Sequence, residues 1–159
     1  MSTTLTQSIA DYLDGVQLVR EAVRGMSGEQ LLARPVAGKW STLEVLCHVA
    51  DFEPIYADRM KRVIAEDRPR LIGADEKHFA AALAYHQRDG EEELVLIERT
   101  RSQMARILRT LSAEALAREG VHSESGPITL EQLLGYAIRH IRHHVPFIHE
   151  KRRALGLPG

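Results

Sequence analysis

Apolar residues recur at three- and four-residue steps along four long segments of the chain, which is the spacing of one face of an α-helix. The first segment extends from about Leu5 to Arg24, and Gly25 follows at the position of a C-cap glycine. Ser27 and Gln30 then form a capping-box pattern before a short helical turn that should end by about Ala33. The pattern therefore predicts one long helix and one short one in the first 35 residues.

The second long helix is predicted from Ser41 to about Glu66. Ser41 with Glu44 three residues later is a capping box, and Trp40 with Val45 is placed to form a hydrophobic staple around it. Pro54 lies inside the apolar pattern, where it removes one backbone donor and predicts a kink.

A third helix is predicted from about Gly90 to Leu111, and a fourth from Leu130 onward, capped by Thr129 and Gln132. The connection between the second and third helices, at residues 67–89, is irregular apart from a short helical piece at 78–84. The segment 120–127 is predicted to be a loop, and no segment has a convincing strand pattern. These elements predict an all-α four-helix bundle with a long crossover between helices two and three.

Length and composition narrow the classes of function. A chain of 159 residues and 17.9 kDa predicts a single domain spanning residues 1–159. A net charge of −1 gives no reason to expect nucleic acid as a partner, and the lack of an apolar run of 18 residues argues against a membrane span. We therefore expect a cytoplasmic protein. Cys47 is the single cysteine, and its position in a predicted helix indicates a small buried hydrophobe.

Histidines concentrate in one part of the predicted fourth helix, where residues 136–150 contain four of the eight in the chain. At about 100° per residue, His144 falls inside the apolar stripe, His140 at its border and His143 beyond it. His140 and His144 are one turn apart, and at this spacing two imidazoles can reach one metal ion. Hydrogen bonds to core carboxylates or water remain an alternative for such buried imidazoles.

A third histidine, His48, lies in the predicted second helix at the margin between its apolar face and a charged face. Glu44 and Asp51 are close in sequence and could orient the imidazole through its other ring nitrogen, as ligand histidines require. A half-exposed polar residue without a ligand role is the alternative for His48.

Three segments in this order resemble the DinB-like family of small helical-bundle metalloproteins, which includes bacillithiol S-transferases and the metal-binding domain of mycothiol-dependent maleylpyruvate isomerase. The segments are WSTLEVLCHVAD at 40–51, GVHSESGPITLEQLL at 120–134 and HIRHHVPFI at 140–148. The resemblance implies one metal-binding histidine from the second helix and two from the last, which are His48, His140 and His144. It also implies a homodimer.

The chain departs from the family pattern at two positions of the last helix. Ile141 stands where family members often have Asp and Phe147 where they often have Gln, and Pro146 lies inside the same helix. The three histidines are retained. The departures concern the pocket around them and leave its chemistry open.

Three neutral imidazoles suit a divalent metal ion, zinc or nickel, and leave a coordination position for a small-molecule substrate. By resemblance, we expect a metal-dependent enzyme that transfers a low-molecular-weight thiol to an electrophile. A metal-dependent hydrolase and a non-enzymatic metal-binding or structural stress protein are the alternatives. Glu44, Asp51 and His143 are the candidates for proton transfer or for orienting the ligands.

Overall fold

A computed structural model describes residues 3–158 and shows a predominantly α-helical chain. Within these residues there are four long α-helices, two short α-helices, two 3-10 helices (Tyr85–Gln87 and Ala113–Ala117) and three short strands. The long helices are α1 (Thr3–Val23), α3 (Thr42–Ala65), α5 (Gly90–Leu108) and α6 (Leu130–Ala154). The short elements are α2 (Gly28–Leu32), α4 (Glu76–Ala82), β1 (Arg70–Leu71), β2 (Glu119–His122) and β3 (Gly126–Thr129). The prediction of a four-helix bundle is confirmed.

Side-chain caps explain where the helices begin. The predicted capping boxes at Ser27, Ser41 and Thr129 are all present, with each hydroxyl accepting a backbone N–H three residues later. Gly25 has a φ of 73°, the left-handed conformation that ends α1 as predicted. α5 ends at Leu108, three residues earlier than its apolar pattern suggested.

The four long helices enclose a core with two buried apolar clusters. One lies around Tyr12, Met60 and Met104, and the other around Leu46, Ile97 and Ile141. All six side chains are at most 1% exposed. The second cluster lies directly behind the part of α3 and α6 that carries the predicted metal ligands.

A buried ion pair lies within this core. Arg101 of α5 and Glu53 of α3 are both 0% exposed, and Nη2 of Arg101 donates to Oε1 of Glu53 at 2.5 Å. The guanidinium also donates to the backbone carbonyls of Tyr12 in α1 and Ala137 in α6, and it lies 4.4 Å from the centroid of the Tyr12 ring. The helix α1 approaches Arg101 closely at Gly15, where a Cβ atom would overlap Nη1 of Arg101. One side chain thus bonds to all three other long helices.

The prediction that the chain contains no strand, and that 120–127 is a loop, is wrong. β2 and β3 form an antiparallel hairpin, and β1 pairs in parallel with β2. Gly126, with a φ of 75°, follows the turn. The strands have two to four residues, too few for an alternation of polar and apolar residues to be recognised. The β1–β2 pairing joins residues 51 positions apart, such as Leu71 and His122.

The long crossover is anchored to the bundle at several points. β1 pairs with β2, Nη2 of Arg59 donates to the carbonyl of Ile72, and Sγ of Cys47 donates to the carbonyl of Tyr85. Arg88 pairs with Asp51 and Glu93. The predicted helical piece is present as α4, with Asp75 as its N-cap. These contacts hold α4 against the face of the bundle where the histidines lie.

No helix among residues 3–158 has the length and hydropathy needed to cross a membrane. The prediction of a single domain spanning 1–159 includes Met1, Ser2 and Gly159, which lie outside the described residues.

Candidate metal centre

Three histidines from two helices converge at one point. His48 comes from α3, and His140 and His144 come from successive turns of α6. Nε2 of His48 lies 3.0 Å from Nε2 of His140 and 3.1 Å from Nε2 of His144. The structure therefore brings together the three residues that were predicted as ligands, each presenting the same ring nitrogen.

Burial keeps these imidazoles neutral. His48 is 1% exposed and His144 9%, so His48 is far more buried than its marginal position in the sequence suggested. Burial, followed by the neighbouring imidazoles of His144 and His48, lowers the pKa of His140 to about 2. Burial lowers the pKa of His144 to about 3 and also lowers the pKa of His48. Neutral imidazole is the form that binds metal.

The donor set fits a divalent metal ion. Zinc–nitrogen bonds of about 2.0–2.1 Å at tetrahedral angles place donor nitrogens about 3.3 Å apart, close to the observed 3.0 and 3.1 Å. Direct hydrogen bonds among the rings explain this geometry less well. The Nε2 atom of His48 carries at most one proton, so it cannot donate to both neighbouring rings. Three lone pairs directed at one point are the arrangement that a cation stabilises.

The Nδ1 atoms of the three rings show a further feature. Among the described side chains and backbone groups, none forms a hydrogen bond with Nδ1 of His48, His140 or His144, although all three atoms are buried. The expectation that Glu44 or Asp51 orients His48 through this nitrogen is therefore not met. Ring packing orients the imidazoles instead, with Phe52 at 4.6 Å from His48 and Tyr56 at 5.5 Å from His140.

A cavity of about 570 Å³ opens onto the three histidines. Four aromatic side chains form much of its wall, and its polar groups come from two lysines, one glutamate and His143. The lining residues beside the histidine cluster are Gly38, Lys39, Trp40, Val45, Phe52, Tyr56, Glu76, His143, Phe147 and Lys151. An apolar cavity with a few convergent polar groups is typical of a small-molecule site.

Sequence reasoning missed Glu76, the acidic residue that lines this cavity. Its Oε2 lies 3.8 Å from Nε2 of His48, beside the point where the three rings converge. Glu76 is in the first turn of α4, within the connection that the sequence analysis treated as irregular. The only available signal was Asp75, an N-cap residue that predicts a helix start there but no contact with His48.

The three residues proposed for proton transfer are placed differently. Glu44 closes the capping box of α3 and pairs with Arg34, and Asp51 accepts from Arg88 at 2.9 and 3.0 Å, so both carboxylates have partners away from the cavity. His143 does line the cavity, with its ring centroid 5.0 Å from that of His144. His143 is thus the member of this set that the structure brings to the site.

The departures from the family pattern have distinct positions. Ile141 is fully buried in the core cluster behind the site. Phe147 forms part of the cavity wall, with its ring centroid 5.8 Å from that of His144. Pro146 lies within α6, which continues through it to Ala154. Phe147 therefore makes the wall more apolar, while the helix that carries both ligands is kept.

A family model of the DinB superfamily matches residues 14–148, a range that contains all three histidines. This chain belongs to the DinB superfamily. Two proteins of similar sequence carry the provisional name of metal-dependent hydrolase. One from Oceanobacillus iheyensis is 30% identical over 144 residues, which cover 91% of this chain and 83% of the relative. The other, YfiT from Bacillus subtilis, is 29% identical over 139 residues, which cover 87% of this chain and 78% of YfiT.

The solved structure of YfiT has the same fold as this DinB superfamily chain. The two superpose with a TM-score of 0.90 at 26% identity, over 99% of this chain and 91% of YfiT. YfiT is described as having an unusual four-helix bundle topology. Membership of the DinB superfamily and the bundle fold are therefore established, whereas the homodimer and the choice between zinc and nickel stay predictions.

We expect metal binding by this DinB superfamily protein to weaken only well below pH 6.5. The lowered pKa of each imidazole means that protons compete poorly for the folded site. In the unfolded chain the same rings gain protons near their ordinary pKa of about 6.5. The neutral imidazoles therefore do not reduce the free energy of unfolding above about pH 6.5, and the fold is destabilised as the pH falls below this value. Zinc titrations against a competing indicator between pH 8 and pH 5 measure this, and a tenfold loss per unit beginning at pH 7.5 would contradict it.

Proposed function

We propose that this protein is a metal-dependent hydrolase whose single divalent ion is held by His48, His140 and His144. The observation that supports the proposal most directly is the convergence of three neutral imidazole nitrogens at the base of an open, largely apolar cavity. A closed structural site would not need such a cavity, since structural zinc ions have four protein ligands. Sequence relatives named as metal-dependent hydrolases support the same class.

When bound, the ion would act as a Lewis acid, lowering the pKa of a coordinated water and polarising a substrate carbonyl. The protein contributes the rest of the chemistry. Oε2 of Glu76, 3.8 Å from Nε2 of His48, is placed to accept the proton of an attacking water. Because the side chain of Glu76 is 55% exposed, it can pass that proton to solvent.

The aromatic walls determine which substrates fit. Trp40, Phe52 and Phe147 lie around the histidine cluster, with Trp40 at 5.4 Å and Phe52 at 4.6 Å from the His48 ring. These rings exclude water from the base of the cavity and favour an apolar or aromatic acyl group. Esters and amides of apolar acids are therefore the substrates we propose.

The chain itself provides no thiol nucleophile for a covalent mechanism. Cys47 is fully buried, and burial raises its pKa to about 12, so that the reactive thiolate is scarce at neutral pH. Its side chain donates to the carbonyl of Tyr85, and as the residue before His48 it points about 100° away from His48 around α3. The nucleophile must therefore come from solution, as water or as a second substrate.

Transfer of a low-molecular-weight thiol is the second candidate, and the composition of the donor set favours it. Three imidazoles contribute no negative charge, so the site would favour an anionic nucleophile such as a thiolate. Glu76 could accept the thiol proton as it would accept the proton of water. The two candidates thus share the ion, the carboxylate and the cavity, and differ in the nucleophile.

An activity panel tests both candidates. We expect zinc- or nickel-loaded protein to hydrolyse nitrophenyl esters or anilides of apolar acids, and metal-free protein to be inactive. Glu76→Gln should lower kcat about 100-fold, the contribution typical of a positioned general base, while leaving the metal content unchanged. Glu92→Gln, which alters an exposed carboxylate in α5, serves as the matched control and should retain activity.

The contrary outcomes are distinct. Turnover of monobromobimane with cysteine or glutathione, together with inactive ester and anilide panels, would replace hydrolysis with thiol transfer. Activity in Glu76→Gln equal to that of the wild type would remove Glu76 from the mechanism. Inactivity of every panel with fully loaded protein would favour the non-enzymatic alternative.

A further inference from the structure

Lys151, near the end of α6, is a buried cation without a carboxylate partner. It is 1% exposed, whereas lysine is among the residues that are least often buried unless paired. The hydrogen bond that its Nζ makes within residues 3–158 is to the carbonyl of Phe147, at 3.1 Å. None of the acidic side chains described in the structure lies within 4.0 Å of it. An ammonium group carries three N–H donors, so two of them lack an acceptor among the residues that the structure describes.

The same side chain lines the cavity that opens onto the histidines. Its Nζ donates to the carbonyl of Phe147, which is three residues beyond His144, or about 4.5 Å along the helix axis. The ammonium group of Lys151, which has no carboxylate partner, and the histidine cluster therefore belong to one site.

The neighbouring charges leave this end of the cavity electropositive. Lys39 lines it as well, but its ammonium is already paired with Glu150 at 2.9 and 3.0 Å. That pair is neutral in sum, and Glu44, the other carboxylate that acts on Lys151, is paired with Arg34, so each of these two carboxylates already has a cation of its own. Burial lowers the pKa of Lys151, and an anion bound next to it would offset this cost. A buried cation with free donors at the wall of a cavity is the arrangement of an anion-binding subsite.

We propose that Lys151 binds an anionic group of the substrate, so that the preferred substrates are amphiphilic acids with an apolar body and a carboxylate, sulfonate or phosphate. This inference rests on the proposed function of the cavity as the substrate site. The anionic group pairs with Lys151, the apolar body lies between Trp40 and Phe147, and the reacting bond lies at the histidine cluster. Lys151 acts as a specificity-determining residue and takes no part in bond cleavage.

Binding of two matched probes to zinc-loaded protein tests the proposal without any turnover. The probes are 3-phenylpropane-1-sulfonate, a weak metal ligand, and the neutral methyl 3-phenylpropyl sulfone. Trp40 is the single tryptophan and lines the cavity, so its fluorescence reports both titrations. We expect the wild type to bind the sulfonate at least about tenfold more tightly than the sulfone, the preference that one desolvated charge-assisted bond provides.

Three substitutions test whether that preference depends on Lys151. Lys151→Met, which keeps the length of the side chain, should abolish the preference for the sulfonate and leave sulfone binding within about twofold. Lys61→Met removes a lysine that bonds to Gln103 and does not line the cavity, and it should keep the wild-type preference. Lys151→Arg should retain most of the preference for the sulfonate, because arginine keeps the positive charge at this position.

Three results would overturn the proposal. They are equal affinities of the two probes for the wild type, no binding of either probe, and a sulfonate preference that persists in Lys151→Met. The comparison of probes on the wild type does not depend on whether a variant folds. A Lys151-dependent preference in a protein that hydrolyses no ester or anilide would support the anion subsite and contradict the hydrolase function.

Discussion

Replacing His144 with alanine is expected to yield purified protein without tightly bound metal, while the wild type retains about one divalent ion per chain. His144 supplies one of the three converging nitrogens, and its Nε2 lies 3.1 Å from Nε2 of His48. Two imidazoles bind a divalent ion more weakly than three. Loss of a hydrogen bond behind a ligand already costs about 10- to 100-fold in metal affinity, so loss of a ligand should cost at least about 100-fold. Elemental analysis of both proteins measures the difference.

His143→Ala is the matched control for this experiment. His143 is adjacent in sequence and lines the cavity, but its side chain is exposed and it is not part of the converging cluster. We expect this variant to keep its metal and the metal-dependent increase in Tm that follows when a ligand binds only the folded state. Full metal content in His144→Ala would contradict the proposed ligand set.

Arg101→Met is expected to destabilise the fold by about 3–5 kcal/mol, the usual cost of leaving one member of a buried ion pair without its partner. The substitution leaves Glu53 fully buried and also removes the hydrogen bonds to Tyr12 and Ala137. Urea denaturation followed by far-UV circular dichroism measures the free energy of unfolding. A loss below about 1 kcal/mol would show that the pair contributes little to the bundle.

A second substitution and a change of pH distinguish the destabilisation caused by the unpaired charge of Glu53 from that caused by the lost contacts of Arg101. Arg101→Met combined with Glu53→Gln should recover at least about 2 kcal/mol, since the buried charge is then gone. Burial raises the pKa of Glu53 even though Arg101 lowers it, and without Arg101 the pKa rises further. The single variant should therefore lose stability as the pH rises above the ordinary glutamate pKa and be closer to the wild type at pH 5 than at pH 8.

Local signals explain the parts of the fold that could be predicted from the sequence. The capping boxes at Ser41 and Thr129 involve residues three positions apart, and the apolar stripe that contains His144 has a single period. Both properties are visible in a window of a few residues. The start of each ligand-bearing helix and the inward direction of His144 follow from them.

The features that could not be predicted depend on contacts between distant segments. The contact of Glu76 with His48, and the pairing of β1 with β2, arise because the crossover folds back onto the bundle. Lys151 is typical of the last turn of a helix, where lysine usually faces solvent and interacts with the helix dipole. Its burial follows from the packing of the cavity wall and has no signature in the sequence around it.

The cavity combines two kinds of support. The three histidines are on the long helices α3 and α6, which the core holds in place, whereas Gly38, Lys39 and Trp40 are in an interhelical loop and Glu76 is on α4 of the crossover. Loops tolerate insertions and substitutions better than packed helices. Directed evolution for new substrates should therefore begin with libraries at residues 36–40 and 77–79, because selectivity can change there without displacing the ligands or Glu76.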